Sequence, residues 1–364
     1  MDEFKIRWFN TGGVLQAETI DWLSIAYQKK VNYPGVAKVA IVGTHSLVDT
    51  IADKWLVEIW RRNLEQGVNW YREFEGIVRG IRKIGIDPGV VEIAIPGPLH
   101  MLSWRHILWY AGTTNRSEFI NKRAETILKT LVTYNATSSA STANGRLRAG
   151  NLSVISVESD GGGGNYISHY CAWDGLLESL QTVAEVAGGD FDLVKTGGNA
   201  WQFRWYAGQL GTDRTGTVTF SIERANMANP IYISNYQSEK TVALVAGKGE
   251  EEFRETVTRT GTNYNVSTNN IEDFVDARNV KEGDTLGLSA RGDKVLAEKQ
   301  LEADFSFDVL QTPSCYYGKH YFLGDLVEVE SPFTGTGVTK KIEEVAVATH
   351  IDEITEIKVV TVDA

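Results

Sequence analysis

Tyr316-Tyr317-Gly318-Lys319-His320-Tyr321-Phe322-Leu323-Gly324-Asp325-Leu326-Val327-Glu328-Val329 is the stretch on which the reading of this chain turns. Gly324-Asp325 is a turn dipeptide that opens directly into a strand. Side chains alternate sides along a strand, so Val327 and Val329 take one face and Glu328 and Glu330 the other. A second alternating run starts near Ile342, and a third carries Ile357, Val359 and Thr361. The spacing predicts a small antiparallel meander at the C-terminal end. Its residues are those of a wall, with no group arranged for catalysis.

Working outward, the first hundred residues alternate in the same way. Phe4, Ile6 and Trp8 alternate with Lys5 and Arg7, Trp55, Val57 and Ile59 with Lys54 and Glu58, and Val91, Ile93 and Ile95 with Glu92 and Ala94. Gly12-Gly13, Tyr33-Pro34-Gly35 and Asp87-Pro88-Gly89 punctuate these runs as turns, which predicts an antiparallel sheet or barrel. Pro96-Gly97-Pro98 ends it, and a short aromatic helix is expected over about Leu99 to Trp109. Helical spacing of Phe119, Ile120, Ala124, Ile127, Leu128, Leu131 and Val132 predicts a helix from Ser117, its N-cap, to Tyr134. Ala136 to Ala143 and the four glycines Gly161 to Gly164 read as surface loops or mobile segments. A second helix runs from Asp174 to Ala187 and stops at Gly188-Gly189. A hairpin follows, from Phe191 through Gly197-Gly198-Asn199 into Trp201-Tyr206, with Trp201, Phe203 and Trp205 sharing a buried face. Further strands are expected near 218–222, 231–236, 241–246 and 253–259, and a third helix near Thr285 to Leu301. The class is α+β, mainly β.

Composition narrows the function. The chain has 364 residues, 42% hydrophobic and 23% charged, with a net charge of −11. That supplies real cores, spread over about two to three domains. The acidic excess and the lack of a Lys/Arg cluster disfavour a DNA-reading role. Cys171 and Cys315 are too few and too far apart for a disulfide framework or a zinc site, and read as buried thiols. The start lacks a signal peptide, and no apolar run reaches the roughly 18 residues of a membrane span, so synthesis in a cytoplasm is expected.

The motif search returns no G-x-S-x-G, H-E-x-x-H, Walker A or G-x-G-x-x-G pattern. Gly247-Lys248-Gly249 reads as a strand-end turn, and Glu250-Glu251-Glu252 as a solvated one. His100 and His106 stand six apart, on different faces of a helix, which argues against a metal pair. Arg291-Gly292-Asp293 spells an adhesion tripeptide inside a predicted helix and reads as chance. Ten tryptophans, Trp104, Trp109, Trp201 and Trp205 among them, favour cores or interfaces over a sugar platform. Catalytic, cofactor-binding and metal residues are therefore all read as none, and the chain as not an enzyme.

Taken together, these pieces resemble the baseplate or tail-tip hub proteins of long-tailed, siphovirus-type bacteriophages, of the kind that precede or carry the tail-associated lysin. The resemblance rests on Phe274-Val275-Asp276-Ala277-Arg278-Asn279-Val280 and the helix after it, about Leu286 to Gln300. It continues with Tyr317-Gly318 and Tyr321-Phe322-Leu323-Gly324-Asp325-Leu326-Val327, then with Lys341-Ile342-Glu343-Glu344-Val345. Upstream, Phe74-Glu75-Gly76-Ile77-Val78 and Val91-Glu92-Ile93-Ala94 follow the family's order of elements. The resemblance implies two tail-tube-like antiparallel β-barrel domains flanking a mixed α+β domain. It divides the chain into 1–111 for the first barrel, 112–224 and 250–311 for the middle domain, and 225–249 and 312–364 for the second barrel. It implies a structural virion protein that links tail tube to central spike or fibres and gates the passage of tape measure and DNA. Its implied partners are two further copies in a homotrimer, distal tail or tube proteins, the tape measure protein, spike or receptor-binding fibre proteins, and DNA in transit; no cofactor is implied. The alternatives are a tail-associated cell-wall or glycan hydrolase and a carbohydrate-binding tail module.

Overall fold

The computed structural model describes residues 2–108, 117–143, 146–147, 150–333, 335, 337–351 and 353–363. The alternation of the first hundred residues becomes eight strands: β1 (Glu3–Phe9), β2 (Leu15–Thr19), β3 (Ser24–Lys30), β4 (Val36–Val42), β5 (Leu56–Asn63), β6 (Val68–Ile77), β7 (Gly80–Ile84) and β8 (Val90–Pro96). They split between two sheets. One has four strands in the order β2-β1-β5-β6, while β3, β4, β8 and β7 join a larger one. A 3-10 turn over Pro98–Trp104 stands where a helix is expected. Trp109 and the 111/112 boundary lie outside the described residues.

Next come β9 (Ser117–Arg123), α1 (Ala124–Asn135), the short hairpin β10 (Thr142–Ala143) and β11 (Arg146–Leu147), β12 (Ile155–Val157), β13 (Tyr166–Cys171), α2 (Leu176–Ala187), β14 (Gly189–Gly197) and β15 (Ala200–Ala207). The predicted helix from Ser117 is corrected. Its first seven residues are strand, paired antiparallel with β13 from Ser117↔Cys171 to Arg123↔Tyr166. Asn121 has φ +47°, and the Ser117 hydroxyl donates to the Leu108 carbonyl instead of capping a helix. A tertiary partner outweighs local propensity here. The glycine segment, expected as a surface loop or a mobile segment, is a surface loop tied down at two points: the amides of Gly161 and Gly163 donate to the Glu125 carboxylate. The hairpin holds as read, with Trp201, Phe203 and Trp205 buried against α1, α2 and Phe191.

The remaining elements are β16 (Thr219–Phe220), β17 (Met227–Asn235), β18 (Val242–Ala246), β19 (Thr256–Thr260), β20 (Glu272–Asp276), α3 (Thr285–Glu298), β21 (Glu302–Val309), β22 (Leu326–Glu330), β23 (Gly337–His350) and β24 (Glu356–Asp363). The predicted C-terminal meander is β22-β23-β24. Two placements are corrected by pairing. β18, expected in the second barrel, forms a separate sheet in the order β19-β18-β20, covered by α3. β21, expected in the middle domain, pairs with β17 and β24.

The larger sheet follows the path β17-β21-β24-β23-β3-β4-β8-β7, with β16 and β22 beside it. Its middle seam is β23 on β3, from Glu344↔Lys30 to His350↔Ser24. The two β regions are thus one continuous sheet, and among the described residues neither closes into a barrel of its own. One face is core. Ile25, Tyr27, Val39, Ile93, Val345, Val347, Ile357 and Val359 join Trp8 and Ile59 of the four-stranded sheet in a single apolar cluster. Fully burying each such side chain contributes about 1.5–3 kcal/mol. The opposite face is open and carries Ala26, Gln28, Lys38, Ala94 and Lys358. The class is α+β and mainly β, as read from the sequence. Among the described residues no helix is long and apolar enough to cross a membrane.

Candidate functional site

The stretch Tyr316–Val329 is a brace. It runs from the four-stranded sheet to the large one, and two glycines let it do so. Gly318 has φ +85°, and a Cβ there would fall 2.2 Å from the Tyr71 hydroxyl. Gly324 has φ +82°, and its added Cβ would meet the Gly211 nitrogen at 2.8 Å. L side chains rarely adopt that conformation, so both positions require glycine. Between them, Tyr321 packs edge-on to Phe220 and tilted against Tyr317, with ring centroids at 5.1 and 5.5 Å, and accepts a bond from Gln311.

At one end the brace enters a buried charge network. The Glu73 side chain is 0% exposed and Arg61 is 1% exposed. Glu73 accepts bonds from the Lys29 ammonium, the Tyr71 hydroxyl and, at 2.6 Å, the Tyr317 hydroxyl. Arg61 donates to Asp2 at 3.0 Å and to the Tyr316 hydroxyl at 3.1 Å, with its guanidinium over both tyrosine rings. Asn63 also donates to Tyr316. Burial alone raises the Glu73 carboxyl; Lys29 and Arg61, with the bonds from Lys29 and Tyr317, outweigh it and hold the group below its ordinary value. Burial and the Glu73 charge together push the Tyr317 and Tyr71 phenols up, so both stay protonated donors. Each charge has an opposite neighbour, the condition under which buried ions are tolerated.

At the other end Asp325 clamps a distant segment. Its carboxylate accepts from the Thr212 amide (2.7 Å), the Phe322 amide (2.8 Å) and the Arg214 guanidinium (2.6 Å). The Leu-Gly-Asp signature is therefore a cap on two chain segments at the entrance to β22. Asp190 acts similarly nearby, accepting from the Leu210 amide and from Lys341 of β23.

A cleft of about 220 Å³ lies beside the Glu73 network, where β3, β6, β14 and the turn at Pro98 meet. Two acids line it. Burial pushes the Glu75 carboxyl up to about 7, against the opposing pull of Arg72, and raises Asp192 to about 6. Lys195 of β14 reaches Glu58 of β5 at 2.6 Å, so ion pairs as well as apolar contacts join the hairpin to the first β region.

The remaining residues singled out from the sequence do not come together. His100 packs edge-on to Trp104, and His106 bridges to Gly175 through the backbone. Cys171 and Cys315 are buried free thiols. Asp293 of the adhesion-like tripeptide is paired with Arg259, and Gly292 is packed on Val245. Gly247-Lys248-Gly249 follows the end of β18 as a turn, and Glu250 to Glu252 are exposed. Among the described residues no three His, Cys, Asp or Glu side chains group as metal ligands. Arg61, Glu73 and Asp325 carry the architecture, and the motif search did not select them. A signal existed in Val57, Ile59, Arg61 and Asn63, which share the buried side of β5 at period two.

The same fold occurs in solved proteins of very different sequence. The 43 kDa tail protein of prophage MuSo2 from Shewanella oneidensis superimposes with a TM-score of 0.59 at 12% identity, over 99% of this chain and 98% of that one. Prophage tail protein gp18 from Listeria monocytogenes gives 0.51 at 12%, over 99% and 94%. A chain of the Francisella PdpA–VgrG complex gives 0.56 at 10%, over 99% of this chain and 52% of that one. No curated protein matches. The model of one family, described as Siphovirus ReqiPepy6 Gp37-like protein, spans residues 5–361. With the fold of phage tail proteins and a family match over nearly its whole length, the chain belongs to the siphovirus ReqiPepy6 Gp37-like protein family.

Proposed function

We propose that the chain is a structural virion protein, a tail-tip or baseplate hub that assembles as a homotrimer around the tail axis. One observation carries this. The main sheet path has eight strands, every neighbour antiparallel, and both ends unpaired among the described residues. With an even count, β17 and β7 run in opposite directions. A second copy related by rotation sets its β17 antiparallel to the first copy's β7, with the same face still inward. The contact is head-to-tail, the kind that closes rings. Three copies present six β regions, the number that continues a six-fold tube.

The two edges have the surfaces such a joint needs. Ile81 and Ile84 on β7, and Ile86 beyond it, are exposed in the single chain. So are Ile231, Tyr232 and Ile233 on β17, with Phe333 stacked near Tyr232. Unpaired edges of this kind invite another strand. In the ring, the open face of the sheet lines the channel. That face is small and mixed in sign, Lys38, Arg82 and Lys358 against Glu92 and Glu356, rather than acidic as the net charge leads one to expect.

The domains follow the pairing: residues 2–104 form the first β region, 117–207 the middle domain, 219–235 and 302–363 the second β region, with 242–298 inserted. The function is mechanical, without catalysis or cofactor. The hub joins distal tube proteins to a spike or fibre and lets tape measure and DNA pass when the gate opens. The likeness to a chain of the PdpA–VgrG complex supports a spike-type partner. Imaging of purified particles tests the reading: three copies on the tail axis, with β17 beside β7, are expected. Ile233→Asp and Ile84→Asp should leave the lone chain folded and abolish its incorporation. An off-axis position, or six copies per ring, refutes it.

A further inference from the structure

We propose that residues 242–298 form a lobe that docks on α2 and β13 through α3 and swings away from them as a rigid body. Its apolar core is its own: Ala243, Val245, Val275, Ala277, Leu288 and Leu296 form a cluster that no side chain from outside the lobe joins. The other two clusters draw on the remaining sheets and on α1 and α2, and neither includes a residue of the lobe. The chain enters and leaves the lobe at one place, where the Lys240 amide donates to the Lys299 carbonyl at 2.9 Å. Two adjacent connections make a hinge, since a few terminal residues suffice to absorb the backbone change.

The docking face works against permanent attachment. α3 packs on α2 and β13. There Lys294 faces His169, whose Nε2 is 2.8 Å from the Ser179 hydroxyl of α2. Glu298, 3.8 Å from Lys294, faces Glu185 of α2, which also senses Lys294 and Lys30 of β3. Burial first, then Lys294, pushes the His169 imidazole down to about 4. Burial first, then Glu298, raises the Glu185 carboxyl. Docking therefore disfavours the charged form of both groups, and each has a like-charged neighbour on α3. For His169 the sign is clear. Its docked value lies below the ordinary 6.5, so docking carries no cost above that pH and weakens as pH falls from 6.5 toward 4. Glu185 acts in the opposite sense, favouring undocking as pH rises, and Glu298→Gln isolates that contribution.

Hydrogen exchange on the full chain tests the proposal. After correction for intrinsic rates, amides of β13 and α2 should exchange at least tenfold faster at pH 5 than at pH 7. Those of β18, β19 and β20 should keep their protection, because the lobe moves without unfolding. At pH 8, Glu298→Gln should slow exchange at α2 several-fold. Loss of protection in the lobe together with α2 and β13 overturns the proposal, as does exchange at α2 and β13 that responds to neither pH nor Glu298→Gln.

Discussion

Replacing Glu73 by glutamine keeps the shape of the side chain and removes its charge. The carboxylate is fully buried and takes bonds from Lys29, Tyr71 and Tyr317, with an Arg61 nitrogen at 3.9 Å. Removing one member of a buried ion pair costs about 3–5 kcal/mol. Two features of this network set the lower end. Lys29 is 21% exposed and can recover water, and Arg61 keeps Asp2. The expected loss is therefore about 3 kcal/mol, a fall in Tm of roughly 6–12 °C at about 2–4 °C per kcal/mol. The assay is thermal and urea unfolding of the purified chain, wild type against Glu73→Gln, Lys29→Met and the double variant. The cycle should show a coupling above about 1 kcal/mol. The pH dependence carries its own sign. The folded carboxyl lies below its ordinary 4.5, so its contribution is complete above that pH and lost as pH falls through the folded value. The gap between wild type and Glu73→Gln should close as pH falls below 4.5 and through the folded value. A Tm shift under about 2 °C together with a coupling under about 0.5 kcal/mol would refute the reasoning: Glu73 would then be a solvated acid, and the brace would be held by its rings alone.

Asp325→Ala strips partners from two amides and from Arg214 at once, and should cost about 3 kcal/mol in urea titration, with 210–214 losing exchange protection first. Trp205→Ala opens a cavity under the hairpin and should cost about 3–5 kcal/mol. Gly189→Ala should also destabilise, because its Cβ would fall 2.3 Å from the Trp205 ring, and circular dichroism melts report both. Glu75 and Asp192 have folded values raised to about 7 and about 6, so the folded chain binds their protons more tightly and stability falls as pH rises from about 4 to 7. In Asp192→Asn that slope in Tm against pH should flatten.

Local pattern made much of this fold legible. The hairpin of β14 and β15, α2 with its glycine stop, α3 and the C-terminal meander each follow from periodicity within about twenty residues. What pattern missed depends on partners far along the chain. Ser117 to Arg123 has helical spacing yet becomes a strand, because β13 lies fifty residues on and offers a ladder. β18 reads as a short apolar strand like its neighbours, and only pairing separates an inserted lobe from the main sheet. The brace was legible as a segment, since Gly324-Asp325 announces a turn. Its chemistry was not, because Arg61 looks like an ordinary surface residue until the period-two run of β5 is followed to its end, and Glu73 of β6 is buried beside Phe74 with no such alternation to mark it.

The seam of β23 on β3 sets an order of events on the ribosome. Gln28 bonds to Glu344 across a separation of 316 residues. At about 5–20 residues per second, the strand on β3 waits roughly 16–60 s for its neighbour to be synthesised. During that interval the nascent first region exposes β3 as a raw edge, beside a Tyr27 that the finished protein buries. A polysome brings many such edges together at high local concentration. Premature pairing between nascent chains is then the main hazard of making this protein, and yield should depend on slow, cool expression or on a chaperone that shelters β3 until the last fifth of the chain arrives.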